Sequence, residues 1–171
     1  KGDINILQAK KRETLRQLIR HEDVSNALIF CNRKRDVDIV HKSFQKHGFN
    51  SATLHGDMSQ PARTETMERF KSKIITLLVC SDVAARGLDI PAIHQVINFD
   101  VPQNIEEYVH RIGRTARMGR DGTAVTFVGE WDTEFFDAIR AHVGETNLEP
   151  INLTMYGDPS RRFPEAPDAI D

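Results

Sequence analysis

Residues 74–80 read Ile74-Ile75-Thr76-Leu77-Leu78-Val79-Cys80, and residues 81–89 follow at once as Ser81-Asp82-Val83-Ala84-Ala85-Arg86-Gly87-Leu88-Asp89. A continuous apolar run of this length suits a strand covered on both faces, as strands of parallel sheets are. The small and polar residues after it then sit at a carboxyl end of that strand. Three further runs read the same way upstream and downstream: Asn26 to Cys31, the shorter Ser51 to Leu54, and Ile93 to Phe99. Thr123 to Val128 makes a fifth strand.

Helical patterns fill the gaps. Leu15, Leu18 and Ile19 mark one face of a short charged helix from Lys10 to Arg20, preceded by a lead-in segment, residues 1–9, with no clear period. Val37, Val40, His41 and Phe44 place an apolar stripe on a helix ending near Gly48, which makes His41 a core residue rather than a ligand. Ser59 is a plausible N-cap for a helix from about Gln60 to Lys71, with Pro61 in the first turn, where a missing N–H costs least. Ile105, Tyr108, Val109 and Ile112 form an i, i+3, i+4, i+7 stripe, and Phe135, Ile139 and Val143 repeat at four in a last helix from Trp131 to Val143.

Strands alternating with helices imply an α/β fold: a mostly parallel sheet, right-handed crossovers and helices on both faces. Ligands of such sheets gather at the carboxyl ends of the strands. Asn32 to Lys34, His55 to Asp57, Ser81 to Asp89, and Asp100 all fall there, so these loops are expected to bind something. The expected division is residues 1–25 as lead-in and first helix, 26–146 as the domain, and 147–171 as an acidic, flexible tail carrying Pro150, Pro159, Pro164 and Pro167.

A chain of 171 residues fits one domain with a sizeable core, and no apolar run approaches the length of a membrane span. The net charge of −2 hides a polarity, since residues 1–129 carry 20 Lys and Arg against 15 Asp and Glu, and residues 130–171 carry 3 against 10. A mildly basic body with an acidic tail is compatible with a polyanionic partner. Cys31 and Cys80 both lie in strand-like runs, which favours buried, reduced thiols over a disulfide or metal site. The expected location is cytoplasmic.

From Tyr108 to Arg120 the sequence is Tyr-Val-His-Arg-Ile-Gly-Arg-Thr-Ala-Arg-Met-Gly-Arg, with Arg111, Arg114, Arg117 and Arg120 at a strict spacing of three. A solvated basic face is the ordinary reading of such a run. Gly113, Ala116 and Gly119 weaken that reading, because small residues let backbone or ligand approach. Arginine suits bidentate phosphate recognition, so a phosphate or nucleotide site is the first hypothesis.

His110-Arg111-Ile112-Gly113-Arg114-Thr115-Ala116-Arg117, with Ser81 to Asp89 upstream, resembles the carboxyl-terminal helicase domain of DEAD-box RNA helicases. Leu28-Ile29-Phe30-Cys31-Asn32, Leu54-His55-Gly56-Asp57-Met58 and Gln60-Pro61-Ala62-Arg63 match in the family's order, so the resemblance spans residues 26–128. Ser81 stands where the family usually has Thr, Ala116 where it often has Gly, and Arg33 where Thr is common.

The resemblance implies a RecA-like three-layer sandwich with about five to six strands, serving as one half of a two-domain motor. It implies that Arg114 and Arg117 reach the β- and γ-phosphates of ATP, with Arg117 the arginine finger, and that Asp89 meets the ribose or adjusts the finger. His110 and Arg111 are implied to join that machinery, and Arg86, His110 and Arg111 to couple the two domains. RNA is implied to meet Asn32, Gly56, Gln60, Arg63, Ser81, Asp82 and Gly87, a set suited to phosphates and 2′-hydroxyls rather than to base reading. ATP with Mg²⁺ is implied to be held mainly by an amino-terminal RecA-like domain, and no metal site is expected in this chain.

No Gly-x-x-x-x-Gly-Lys-Ser/Thr run and no Asp-Glu-Ala-Asp run occurs in these 171 residues. The expectation is therefore that this chain alone neither hydrolyses ATP nor unwinds RNA. The alternative is a helicase-derived RNA-binding or adaptor module without motor activity. Arg114 and Arg117 argue against it, since a pure RNA-binding module needs no γ-phosphate contact.

Overall fold

The computed structural model describes residues 4–88, 90, 93–114 and 123–144. In chain order the elements are α1 (Ile4–His21), β1 (Ala27–Phe30), α2 (Lys34–Lys46), β2 (Ser51–Leu54), α3 (Gln60–Lys71), β3 (Leu77–Cys80), α4 (Asp82–Ala85), β4 (Gln95–Asn98), α5 (Ile105–Ile112), β5 (Thr123–Thr126) and α6 (Thr133–Val143). The five strands form one sheet in the order β2-β3-β1-β4-β5, every pair parallel. It is an α/β, RecA-like arrangement, and it places all five carboxyl ends along one edge.

The alternation of side chains along each strand sorts the core into two layers. Ala27, Ile29, Cys31, Leu77, Val79 and Ile97 face one way and pack under α1 and α2 through Leu15, Leu18, Val37, Val40 and Phe44. Leu28, Phe30, Leu78, Cys80 and Val96 face the other way and pack under α3 and α4 through Met67, Phe70, Ala84 and Ala85. The two cysteines are free, buried and on opposite faces, so they cannot bridge without turning a strand over.

The connection leaving β1 runs to one side of the sheet and that leaving β4 to the other. A crevice therefore opens between the carboxyl ends of these neighbours, where parallel sheets bind ligands.

Helix ends follow local rules. Phe49 N–H returns to Phe44 O at 2.9 Å and Gly48 N–H to Gln45 O at 3.3 Å, with Gly48 at φ 78°, a Schellman end to α2 sealed by the Phe44–Phe49 contact. The end of α3 repeats the pattern with a lysine: Lys73 sits at φ 66° and Ile74 N–H reaches Arg69 O at 2.9 Å. That motif keeps Ile74 exposed, so β3 starts at Leu77 rather than at Ile74.

Helix α1 differs too, since it begins at Ile4 instead of Lys10. Its first turns bury nothing, with Ile4 and Ile6 exposed, and so carry no apolar period to read. On α6 the inward residues are Phe136, Ile139 and Val143, and Phe135 points to solvent. On α5 Tyr108 is buried whereas Val109 is exposed. Residues 145–171, with the expected tail, lie outside the described residues. Among the described residues no helix is long and apolar enough to cross a membrane.

Candidate functional site

Helix α5 starts where Asn104 caps it, its Oδ1 accepting from Glu107 N–H at 2.8 Å while the Glu107 carboxylate accepts from Gln103 N–H at 3.2 Å. This reciprocal pairing fixes the entry angle of the helix. Tyr108 then packs with Val101 and Ile139, and Arg111, three residues on, is carried inward on the same side. Arg111 is 1% exposed.

Every donor of that guanidinium has a partner inside the domain. Nε and Nη2 hold the Asp82 carboxylate in a bidentate pair, 2.7 Å each. Nη2 also donates to Asn32 Oδ1 at 2.6 Å, and Nη1 donates to Asp100 O at 2.9 Å and, at a longer 3.4 Å, to Asn98 Oδ1. Arg111 thus ties the carboxyl ends of β1, β3 and β4 together across the crevice. In this arrangement Arg111 spends its donors within the domain.

Asn32 is equally committed, its Nδ2 donating to Val101 O at 3.0 Å and its main-chain N–H to Asp100 Oδ2 at 2.9 Å. Both ends of its side-chain amide are engaged within the domain, where they hold the turn after β1.

The four-residue helix α4 is gripped from above and below. Arg114 Nη2 donates to Ala85 O at 2.9 Å and Nη1 to Leu88 O at 3.1 Å, and Arg63 Nη2 from α3 donates to Ala84 O at 2.9 Å. Ala84 O and Ala85 O belong to the last turn of α4, whose carbonyls lack partners within the helix, and cations suit them; Leu88 O lies in the turn beyond. Gly87, at φ 71°, makes the turn that follows, and its missing Cβ faces open space. Beside this turn lies a cleft of about 160 Å³ lined by Asp82, Arg86, Gly87, Glu107, His110 and Arg114 among others. Arg86 and His110 are exposed at its rim.

The structure thus brings Asp82, Arg86, Gly87, His110, Arg111 and Arg114 to one place. Ser81 adjoins them as the N-cap of α4, and Arg63 reaches them from below. Gly56 and Gln60 are exposed on the neighbouring β2 turn and at the start of α3, where Lys34 and Asp57 form an exposed ion pair. Asp89, Thr115, Ala116, Arg117 and Arg120 lie outside the described residues. Among the described residues no group of three or more His, Cys, Asp or Glu side chains could hold a metal ion.

Two participants escaped the sequence reading. Asn98, fully buried, bonds Thr126 at 3.1 Å and meets Arg111. Lys11 puts its ammonium 3.3 Å from Asp100 Oδ1. Its position one turn before Leu15 on the docked stripe of α1 was the available signal. Nearby, burial and then Asp100 raise the Asp36 carboxyl above its usual range, and burial pushes both cysteine thiols up.

Residues 10–119 match the family model described as the helicase conserved C-terminal domain. The chain is 41% identical over 135 residues to the ATP-dependent RNA helicase SrmB of Haemophilus influenzae, covering 79% of this chain and 31% of that protein. It is 41% identical over 130 residues to the ATP-dependent RNA helicase DBP8 of Candida albicans, covering 75% and 30%. The chain therefore spans less than a third of the length of these relatives. Among solved structures it is similar to the E. coli DEAD-box protein SrmB bound to regulator of ribonuclease activity A, with TM-score 0.75, 35% identity, and 84% of this chain and 82% of that one covered. It is also similar to S. cerevisiae Dbp5 bound to RNA and ADP BeF3, with TM-score 0.78, 27% identity and coverage of 88% and 40%.

Proposed function

This chain belongs to the helicase conserved C-terminal domain family, in its DEAD-box RNA helicase branch, and from that premise we propose that it is the carboxyl-terminal half of an ATP-driven RNA-unwinding motor. The observation that carries the reading is a juxtaposition on one sheet edge. A guanidinium-lined cleft over α4 adjoins loops rich in hydroxyl and main-chain donors at the ends of β2 and β3.

The cleft side would serve the nucleotide. Arg114 already spans two carbonyls and presents its guanidinium at the cleft, so closure of a second RecA-like domain would exchange those acceptors for phosphate oxygens. A guanidinium–phosphate pair is charge-assisted and stronger than a guanidinium–carbonyl bond, which favours the exchange. Arg117, three residues further, would be the finger that neutralises charge developing on the γ-phosphate. Mg²⁺ held with ATP by the other half would neutralise the same charge. Exposed His110 and Arg86 would line the seam, and Arg111 would transmit closure through Asp82 and Asn32.

The loop side would serve RNA. Ser81, Gly56, Gly87, Gln60 and Arg63 offer a hydroxyl, main-chain N–H groups, an amide and one cation, which recognise a sugar–phosphate backbone without reading bases. Asp82 would hold the Ser81 turn through Arg111. Because ATP and RNA would both favour the closed pair of domains, each would tighten the other. This chain alone would then be silent.

The test is Arg117→Ala in the full-length protein. RNA-stimulated ATPase should fall by about a thousandfold or more, with RNA binding retained. Unchanged ATPase would overturn the motor reading in favour of an adaptor, and robust RNA-stimulated ATPase from the 171-residue chain alone would overturn its dependence on a second domain.

A further inference from the structure

Helix α1 reaches the carboxyl edge through Lys11. Lys11 and Asp100 meet at 3.3 Å with side chains only 11% and 16% exposed, and the ammonium stands 4.3 Å from the centroid of the Phe99 ring. An ammonium so far from water is costly unless matched, and here a carboxylate and an aromatic face match it. Asp100 is the shared support of the crevice: its Oδ2 accepts from Asn32 N–H and its main-chain carbonyl from Arg111 Nη1, each at 2.9 Å.

A second carboxylate crowds the first. The charges facing Asp36 are Asp100, Arg33, Lys11 and Arg35; burial and Asp100 push its carboxyl up, and the three cations oppose that. Arg33 and Arg35 are exposed, so Lys11 is the one of the three that water screens least. The Cys31 thiol, buried at the end of β1, feels Asp100, Asp36 and Lys11 in turn. These charges therefore surround Cys31, which joins the end of β1 to Asn32.

We infer that Lys11 is a positioning residue for the RNA face: its ammonium, delivered by α1, anchors Asp100 so that the Asn32 turn and the Arg111 guanidinium keep the geometry of the crevice. The functional readout rests on the motor reading above, and the structural readout rests on the contacts alone. Without the ammonium, Asp100 faces Asp36 with less compensation, and the Asn32 N–H and Arg111 lose a fixed acceptor. The RNA-facing loops keep their contact groups but lose their preorganisation, which weakens binding rather than chemistry.

The test combines Lys11→Met and Lys11→Arg in the full-length protein, following ATPase against RNA concentration, with a pH titration of the Asp36 carboxyl by NMR in this chain. Lys11→Met should raise the half-saturating RNA concentration about fivefold or more at near-parental kcat, and should move the Asp36 midpoint upward. Lys11→Arg should restore both. Lys11→Gln stands in if the Met variant does not fold. A variant that loses thermal stability and kcat while the RNA half-saturation and Asp36 midpoint stay at their parental values overturns the inference. If the parent protein shows no RNA-stimulated ATPase, the motor reading falls and the Asp36 midpoint decides: an upward move supports the Lys11 role, and no move overturns it.

Discussion

Replacing Arg111 with Met would leave the Asp82 carboxylate, paired by both oxygens in the native chain, without its counter-charge beside a buried cavity. Breaking one side of a buried pair costs about 3–5 kcal/mol, and urea unfolding of Arg111→Met should show a loss of that order. Lysine should not rescue it, because one ammonium cannot reach Asp82, Asn32 and the Asp100 carbonyl from a single fork. Arg114→Ala removes bonds to two carbonyls at a half-buried site and should cost only about 1 kcal/mol. The contrast was partly legible: with Tyr108 marking the buried side of α5, a residue three further along turns the same way, so Arg111 had to go in. What the spacing of three could not reveal was the set of acceptors waiting there, which come from Asn32, Asp82 and Asp100 on three other segments. Asp36 supplies a pH test of the same neighbourhood. Its carboxyl is raised on folding, so the unfolded chain holds fewer protons than the native one between the unfolded and folded pKa values, and stability falls as pH rises through that window. Asp36→Asn should therefore be more stable than the parent above the window in urea titrations, with the gap closing below the usual carboxylate pKa.

The strands were readable because β1, β3 and β4 are buried along their whole length, which forces continuous apolar runs. Their ends were not, because termini are set by hydrogen bonds outside the run. At Lys73 a lysine takes the left-handed position usually given to glycine, and the Schellman bonds hold Ile74 out of β3. The helices show the same limit. On α6 the repeat Phe135, Ile139, Val143 is a true spacing of four, yet Phe136 shares the Ile139 side by a spacing of three and is the one that packs. The two choices separate by measurement: Ile139→Ala should cost about 2–5 kcal/mol, whereas Phe135→Ser should stay within about 0.5 kcal/mol. A large loss at Phe135 in chemical denaturation would mean that α6 is rotated from the orientation described. Helix α1 marks the opposite failure, a helix whose first turns touch no core and so leave no periodic trace before Lys10.

The α/β class follows from alternation alone, but the strand order does not, and the order decides which loops meet. Only with β1 beside β4 do Asn32 and Asp100 come within bonding distance, and only then can a helix after β4 thread Arg111 between them. The two thiols report whether that sheet opens as one body. Cys31 faces the layer under α1 and α2, Cys80 the layer under α3 and α4, and both are fully buried with thiols pushed up by burial. A thiolate is the reactive form, so the native chain should resist a thiol reagent over times in which the urea-unfolded chain reacts at both sites. If the sheet opens only globally, Cys31 and Cys80 should then label at the same slow rate, set by global unfolding. Faster labelling of Cys31 alone, read by mass spectrometry, would instead mean that the α1–α2 layer lifts separately, and Lys11→Met should then speed Cys31 while leaving Cys80 unchanged.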